Sequence, residues 1–211
     1  MSVITRDIVM SLVIGGHMAT DIDMASNALV LLGDSPISSF DDPGAGAQTA
    51  SNLYTETYRS VLASHPWPVA LKEQHLSRLS QQPDVETFYT YAFQLPADLI
   101  RIWKMMSHSR YDVIGSLVYS NEPALLCRYI YQVDEADLPP HMVKAVEYKL
   151  AAEFAIPVTE DENKAQIYER KFQMQVAQAQ TIESQGHPQH SIIDSPFTDV
   201  RLTGSSYGLG Y

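Results

Sequence analysis

The fold is decided by residues 137–186, which read DLPPHMVKAVEYKLAAEFAIPVTEDENKAQIYERKFQMQVAQAQTIESQG. Apolar residues recur in this stretch at intervals of three or four, the spacing of one buried face of an α-helix. They are Val143, Val146, Leu150 and Phe154, followed by Ala165, Tyr168, Phe172, Val176, Ala179 and Ile182. The spacing predicts two long amphipathic helices, the second roughly 35 Å long, whose apolar faces need partners elsewhere in the chain.

The first of these helices is predicted to begin near Asp137, whose carboxylate can cap free backbone N–H groups. Pro139 and Pro140 suit its first turn, where the N–H that proline lacks is not needed. Pro157 is expected to break the helix, because proline removes one hydrogen bond of the helical ladder.

The second helix is predicted to open with a capping box. Thr159 is placed to cap the N–H of Glu162, and Glu162 to reach back to Thr159. The acidic run 160–162 could also suggest a cation site, but stabilisation of a helix N-terminus explains it more simply. Gly186 is the expected terminator.

Two further helices are predicted near the start of the chain. Thr20 and Asp23 form the ends of a capping box, and Gly33 closes the helix that follows. A proline- and glycine-rich loop leads to a second helix over about Ala47–Ser64, which stops at His65-Pro66-Trp67-Pro68. The apolar stripes are Ile22, Ala25, Leu29 and Leu32, and then Ala50, Leu53 or Tyr54, Tyr58, Val61 and Leu62.

Residues 69–134 change in character and predict strands. The candidates are Thr87–Leu95, Leu99–Met105, Val113–Tyr119 and Leu125–Val133, rich in aromatic and β-branched residues and joined by short turns. Short connections favour antiparallel pairing. The fold class is therefore α+β and mainly helical: an antiparallel four-helix bundle with an inserted small antiparallel β unit and an extended C-terminal arm.

The predicted organisation has five parts. They are an N-terminal extension over 1–17, a first helix pair over 18–68, the β insert over 69–134, a second helix pair over 135–186, and the arm over 187–211. Met1–His17 has a short apolar centre interrupted by charge, which is not typical of a signal peptide. We expect an upstream extension or a cloning remnant; a functional element is the alternative.

The arm has no helical stripe and holds proline and glycine throughout, yet it carries many large apolar side chains. These are Ile192, Ile193, Phe197, Val200, Leu202, Tyr207, Leu209 and Tyr211. A purely solvated tail would have fewer. We expect the arm to order against another protein surface, such as a neighbouring subunit; a frayed terminus is the alternative.

Composition narrows the function. The 211 residues are 45% apolar and 18% charged, with 14 basic against 25 acidic residues and a net charge of -11. A chain this acidic repels phosphate backbones, so tight nucleic-acid binding is not expected. The single cysteine, Cys127, excludes an internal disulfide framework and is predicted to be buried in a strand. No apolar run is long enough to span a membrane.

No motif for catalysis, a cofactor or a metal is found. Gly44-Ala45-Gly46 lacks the Lys-Ser/Thr ending of a phosphate-binding loop, and His187 and His190 lie in a polar loop. Asp41-Asp42 has no evident partner carboxylate for glycoside hydrolysis. The alternation of Tyr89, Tyr91 and Phe93 is typical of a sheet core, although it could also stack sugars. We expect no enzyme activity and no cofactor.

Three short stretches resemble the tail tubular protein A family of podophages and the wider class of phage head-to-tail adaptors. They are residues 28–42, ALVLLGDSPISSFDD; Tyr54, Tyr58 and Arg59 running into His65-Pro66-Trp67; and Phe93-Gln94-Leu95-Pro96-Ala97-Asp98 followed by Ile100-Arg101-Ile102. The resemblance covers about Ala19–Glu183.

This resemblance implies a structural virion protein at the phage head-tail junction, assembled in the bacterial host cytoplasm. It implies a dodecameric ring, about twelve subunits in closed symmetry. The ring would lie below the portal protein, extend the DNA channel and hold a tail nozzle or tail tube. Genomic DNA would pass nearby without being held, and no membrane would be involved. The alternative function is a tail-associated enzyme that cleaves glycan or peptidoglycan.

Overall fold

The structure, a computed structural model, describes residues 19–80, 88–107 and 109–186, with side chains up to residue 181. The predicted extension Met1–His17 and all eight apolar residues of the arm lie outside the described residues. The side chain of Ile182, the last member of the predicted stripe, also lies outside the described part of the structure.

The fold is mixed α+β and about half helical, with four helices and two small antiparallel sheets in the described part of the chain. The helices are α1 (Asp21–Leu32), α2 (Ala45–Ser64), α3 (Pro140–Thr159) and α4 (Glu162–Gly186). The strands all lie between α2 and α3 in the sequence, as predicted.

Helix α1 begins and ends as its sequence predicts. The Thr20 hydroxyl accepts a hydrogen bond from the Asp23 N–H at 3.1 Å, and the Asp23 carboxylate accepts one from the Thr20 N–H at 3.1 Å. Gly33 ends the helix in the left-handed conformation, with φ of 87°. A residue with a Cβ atom would be strained there.

The start of α3 differs from the prediction. Residues Glu135–Asp137 form a short 3₁₀ turn, and the helix begins at Pro140, preceded by Pro139 without a side-chain cap. Asp137 is therefore not the cap. The backbone of Asp137 belongs to the 3₁₀ turn, so the helix begins only after that turn. Pro140 takes the first helical position, as expected.

The junction between α3 and α4 also differs. Pro157 lies inside α3, which continues to Thr159 and ends at Glu160 with a left-handed φ of 53°. The Thr159 hydroxyl donates to the Ala155 carbonyl at 2.7 Å, so Thr159 belongs to the helix before the junction. Asp161 caps α4 instead, since its carboxylate accepts from the N–H groups of Asn163 at 2.9 Å and Lys164 at 3.3 Å.

The predicted helix faces form the main core. Val146, Leu150 and Phe154 of α3 are fully buried, and Phe172 and Ala179 of α4 are buried too. Helix α3 packs closely against each of the other three helices, whereas α1 and α2 share few contacts with each other. Helices α3 and α4 run antiparallel: Tyr148 lies beside Tyr168, and further along Gln175 donates to the His141 carbonyl.

The strands form two sheets. They are β1 (Leu71–His75), β2 (Ser77–Arg78), β3 (Tyr91–Gln94), β4 (Leu99–Met106), β5 (Tyr111–Ile114), β6 (Leu117–Ser120) and β7 (Leu126–Tyr131). The first sheet has the order β1-β7-β4 and the second has the order β2-β3-β6-β5, all antiparallel. The predicted strands at 99–105 and 125–133 are confirmed as β4 and β7.

Two strand predictions need correction. Val113–Tyr119 is not one strand but part of the hairpin β5–β6, in which Ile114 pairs with Leu117. Gly115 has φ of 60°, which fits the first position of a two-residue type II′ turn. The strand predicted over Thr87–Leu95 is shorter: β3 begins at Tyr91, and Thr87 lies outside the described residues.

Strand β7 joins the helical core to the sheets. Ile130 is buried in the main core, whereas Cys127 and Tyr129 are buried in a second core that includes Phe93 and Val118. The Tyr58 hydroxyl of α2 donates to the Val133 carbonyl just beyond β7 at 2.8 Å. Cys127 is therefore the buried strand cysteine that was predicted, and burial raises the pKa of its thiol.

A first prediction concerns the packing of α4. Phe172→Ala should lower the free energy of unfolding by about 3 kcal/mol, because it removes a ring that is only 8% exposed. Met174→Ala, two residues away and 72% exposed, should change it by less than about 0.5 kcal/mol. Urea unfolding of both variants measures this. Equal effects would contradict the packing described.

A second prediction concerns alkaline pH. Burial, followed by nearby carboxylates, raises the pKa of Tyr54 and Tyr58, and burial with the Asp98 hydrogen bond raises the pKa of Tyr129 to about 12. The folded state holds these protons above the usual tyrosine pKa near 10, so stability is fully present below about pH 10 and is lost as pH rises towards 12.

Absorbance at 295 nm, followed across this range, should show these tyrosines ionising together with unfolding. Tyr58→Phe should remove one late-ionising group. Smooth ionisation of all tyrosines near pH 10 in the folded protein would contradict the buried positions.

Candidate assembly surface

The residues that sequence analysis weighed for chemistry have structural roles where the structure describes them. The Asp42 carboxylate accepts from the N–H groups of Ser38 at 2.7 Å and Ser39 at 3.1 Å, which lowers its pKa and fixes its own loop. Gly44 directly precedes α2, as expected of a turn before a helix. Asp161 caps α4. Within residues 19–80, 88–107 and 109–186, no group of three or more His, Cys, Asp or Glu side chains is placed to hold a metal ion.

A buried carboxylate was missed by sequence reasoning. Glu147 of α3 is only 4% exposed, and it accepts from Asn27 of α1 at 2.8 Å and from Lys144 at 2.7 Å. The hydrogen bond to Glu147 raises the pKa of Lys144. The available signal was position: Glu147 follows Val146 and precedes Leu150 by three residues, on the apolar stripe itself.

Glu147 lies at a cleft of about 390 Å³ between α1 and α3, which Asp23 and Lys144 also line. Both carboxylate oxygens have partners, one of them on another helix. The arrangement orients α1 on α3, because a buried carboxylate stripped of its donors would be costly. Its evident role is structural.

The edges of the sheets are places where another chain could pair, because an edge strand offers unpaired backbone groups. In the described part of the chain the four edges are β1, β4, β2 and β5. Strand β1 is polar along its length, with Lys72, Glu73, Gln74 and His75. Strand β4 is interrupted by two register shifts, and β2 has two residues. Charge, bulges and short length are the usual protections of an edge.

Strand β5 has the weakest protection of the four. It is four residues long, pairs with β6 without a register shift, and is exposed at every position. Tyr111, Val113 and Ile114 are exposed apolar residues, at 38%, 43% and 57%. Asp112 is its single charge, and it accepts a hydrogen bond from the Tyr89 hydroxyl, which raises the Tyr89 pKa. We call this strand with its outer side the β5 edge.

The hairpin turn fixes which backbone groups of the β5 edge are unpaired. In a hairpin with a two-residue turn, the pair that flanks the turn is hydrogen-bonded, and the pairing alternates along the ladder. The flanking pair is Ile114 and Leu117, so Ile114 and Asp112 bond to β6. The N–H and C=O groups of Tyr111 and Val113 therefore point outward.

The side chains of the β5 edge extend a buried face. Val113 lies opposite Val118 of β6, which lies opposite Phe93 of β3. Val118 and Phe93 are fully buried in the second core, but Val113 at the margin is not covered. The apolar face of the second sheet thus continues to its free edge.

This edge was not predicted, because β5 and β6 were expected to form one strand. The assembly contacts were predicted on the arm, at Ile192, Ile193, Phe197, Val200, Leu202, Tyr207, Leu209 and Tyr211, which are outside the described residues. Those contacts stay a prediction.

Comparisons with protein-family models and with curated proteins find no match to this chain. Across the described ranges, the helices are either too short or too polar to cross a lipid bilayer.

A third prediction tests the Glu147 contact. Asn27→Ala should lower the free energy of unfolding by about 1–3 kcal/mol, because it leaves one oxygen of a buried carboxylate without its donor. Asn52→Ala, an exposed position within α2, provides the same change without that contact. Thermal unfolding compares them. If the two variants were equally stable, the Asn27–Glu147 hydrogen bond would have no structural role.

Proposed function

We propose that this protein is a structural adaptor subunit of a phage head-to-tail connector. It forms a closed ring, dodecameric in the class that the sequence resembles, that joins the portal to the tail nozzle or tail tube and extends the DNA channel. The observation that carries the proposal is the β5 edge: an apolar strand with outward backbone donors and acceptors is suited to contact another protein chain.

The charge supports the same function. A channel for DNA works best when its wall does not hold phosphates, and a net charge of -11 favours repulsion over binding. Genomic DNA is then a transient neighbour and not a ligand. The proposal places the protein in the virion, assembled in the cytoplasm of a bacterial host, with no membrane partner and no cofactor.

We further infer that the four helices act as one antiparallel bundle in the ring. Helix α3 contacts all the others, and α4 also reaches α1: Lys164 donates to the Leu32 carbonyl at 2.9 Å, and the Tyr168 hydroxyl donates to the Leu31 carbonyl. Near the other end, Gln180 of α4 lies 3.3 Å from His65 beyond α2. A bundle of this kind gives each subunit a rigid body.

The alternative, a tail enzyme that cleaves glycan or peptidoglycan, has less support. Such an enzyme needs two carboxyl groups facing each other across a cleft. The carboxylates of Asp42, Asp161 and Glu147 each accept bonds that hold loops or helices in place. We therefore prefer the adaptor.

The fourth prediction tests the adaptor directly. Electron microscopy of the purified chain, alone and mixed with the portal protein of the same phage, should show rings with cyclic symmetry that bind coaxially to the portal. A chain that stays monomeric and never binds the portal would contradict the proposal.

Deletion of Ser195–Tyr211 should leave the melting temperature unchanged and abolish attachment to portal-bearing heads, because the arm is proposed to supply apolar anchors. Deletion of Met1–His17 is the matched control and should keep attachment. If attachment survives loss of the arm, the docking surface lies on the helices, their loops or the sheet edges.

A further inference from the structure

We propose that the segment Tyr207–Tyr211 of one subunit adds as a strand to the β5 edge of its neighbour. This inference rests on the proposed function, which supplies neighbouring copies in head-to-tail contact. It names a specific partner surface for the arm: Tyr111–Ile114 of the second sheet. The geometry is β-strand addition, in which backbone hydrogen bonds give affinity and alternate side chains give specificity.

The β5 edge supplies the backbone half of such a contact. The outward N–H and C=O groups of Tyr111 and Val113 offer two donors and two acceptors. An incoming strand of five residues is long enough to use all four. The other described edges are charged, interrupted or short, so β5 is the edge best able to accept one.

The sequence of the segment fits the side-chain half. Tyr207-Gly208-Leu209-Gly210-Tyr211 alternates a large apolar residue with glycine, a period of two. As an added strand, it would place its apolar residues on the face that carries Tyr111, Val113 and the buried Val118. Its glycines would fall on the opposite face, beside Asp112 and Ile114.

The charge of the segment Tyr207–Tyr211 and the length of chain before it both fit its addition to the β5 edge of a neighbour. Residues 203–211 carry no charged side chain, so none repels Asp112, while the earlier part of the arm holds Asp194, Asp199 and Arg201. Twenty residues separate Gly186 from Tyr207 and can span up to roughly 70 Å when extended. A compact chain of this length has a radius of gyration of about 17 Å, so a neighbouring subunit is within reach.

Pairing of two β5 strands from two copies is less suitable. The register that brings the outward groups of Tyr111 and Val113 together in an antiparallel pair places Asp112 opposite Asp112. Like charges directly opposite each other destabilise a sheet. Such a contact is also two-fold symmetric, and it does not by itself close a larger ring.

Cysteine cross-linking of the full chain tests the contact, and it is the fifth prediction. Cys127 is the single cysteine and is buried with a raised thiol pKa, so it should stay silent. We expect chains with Val113→Cys, mixed with chains with Leu209→Cys and oxidised mildly, to give a disulfide-linked heterodimer. Met174→Cys mixed with Leu209→Cys is the control, because Met174 is highly exposed on α4, a helix that makes no extensive contact with β5; it should give no such product.

Three results would overturn the proposal. The first is the absence of the heterodimer at every protein concentration, including with portal present. The second is a Val113→Cys homodimer as the main product, which would indicate pairing of two β5 edges. The third is a chain carrying both changes that links only within itself, which would place the segment on its own subunit.

A charge substitution provides an independent readout. Val113→Lys should weaken self-association at least about tenfold in sedimentation experiments, because a charge on an edge strand opposes strand addition. Ile167→Lys on α4, at a similar 49% exposure, should leave self-association unchanged. Equal effects would contradict the proposal.

These measurements separate the two proposals. If micrographs show rings on the portal but Val113→Lys behaves as wild type and no heterodimer forms, the strand contact is wrong and the adaptor function stands. If the heterodimer forms but the chains make only open dimers or filaments that ignore the portal, the contact stands and the adaptor function is wrong.

Discussion

Burial of strand β7 on both faces is the constraint on which the rest of the structure depends. Ile130 faces the helices, and Cys127 and Tyr129 face the second sheet, so one strand belongs to two cores. A strand buried on both sides must have its backbone satisfied on both edges, which β1 and β4 provide. The helices and the second sheet therefore hold their positions relative to β7. The β5–β6 hairpin lies on the side of the second sheet opposite β2, with β5 as the outer strand.

Polar contacts fix α2 and the first sheet relative to β7. Tyr58 anchors α2 to the Val133 carbonyl at the end of β7. On the first sheet, the Tyr129 hydroxyl donates to Asp98, which also pairs with Lys72 of β1 at 2.8 Å. The Lys72–Asp98 pair is partly exposed and contributes little energy by itself. Its value is geometric, since it joins β1 to the turn before β4.

The features that were predicted correctly depend on residues that are close together in the sequence. The Thr20–Asp23 capping box, the Gly33 terminator and the stripe Val146, Leu150 and Phe154 all depend on neighbours within four residues. The prediction for the α3–α4 junction was wrong because two candidate caps, Thr159 and Asp161, lie two residues apart. The Thr159 hydroxyl bonds back to its own helix, and Asp161 is the cap. Strand β1 was missed because its polar residues show no alternation; its ladder with β7 is what makes it a strand.

The candidate surface was not predicted from the sequence. The β5 edge depends on the turn at Gly115, which lies inside a run of strand-forming residues. The contacts predicted on the arm lie outside the described residues and stay a prediction. The position of Glu147 on the apolar stripe was readable, but its partner Asn27 was not, because Asn27 is distant in sequence. Hydrogen–deuterium exchange at the amides of Tyr111 and Val113 is the decisive measurement, because these N–H groups point outward in the subunit. We expect fast exchange in the isolated subunit and strong protection in the proposed ring; equally fast exchange in both would show that the β5 edge stays unpaired.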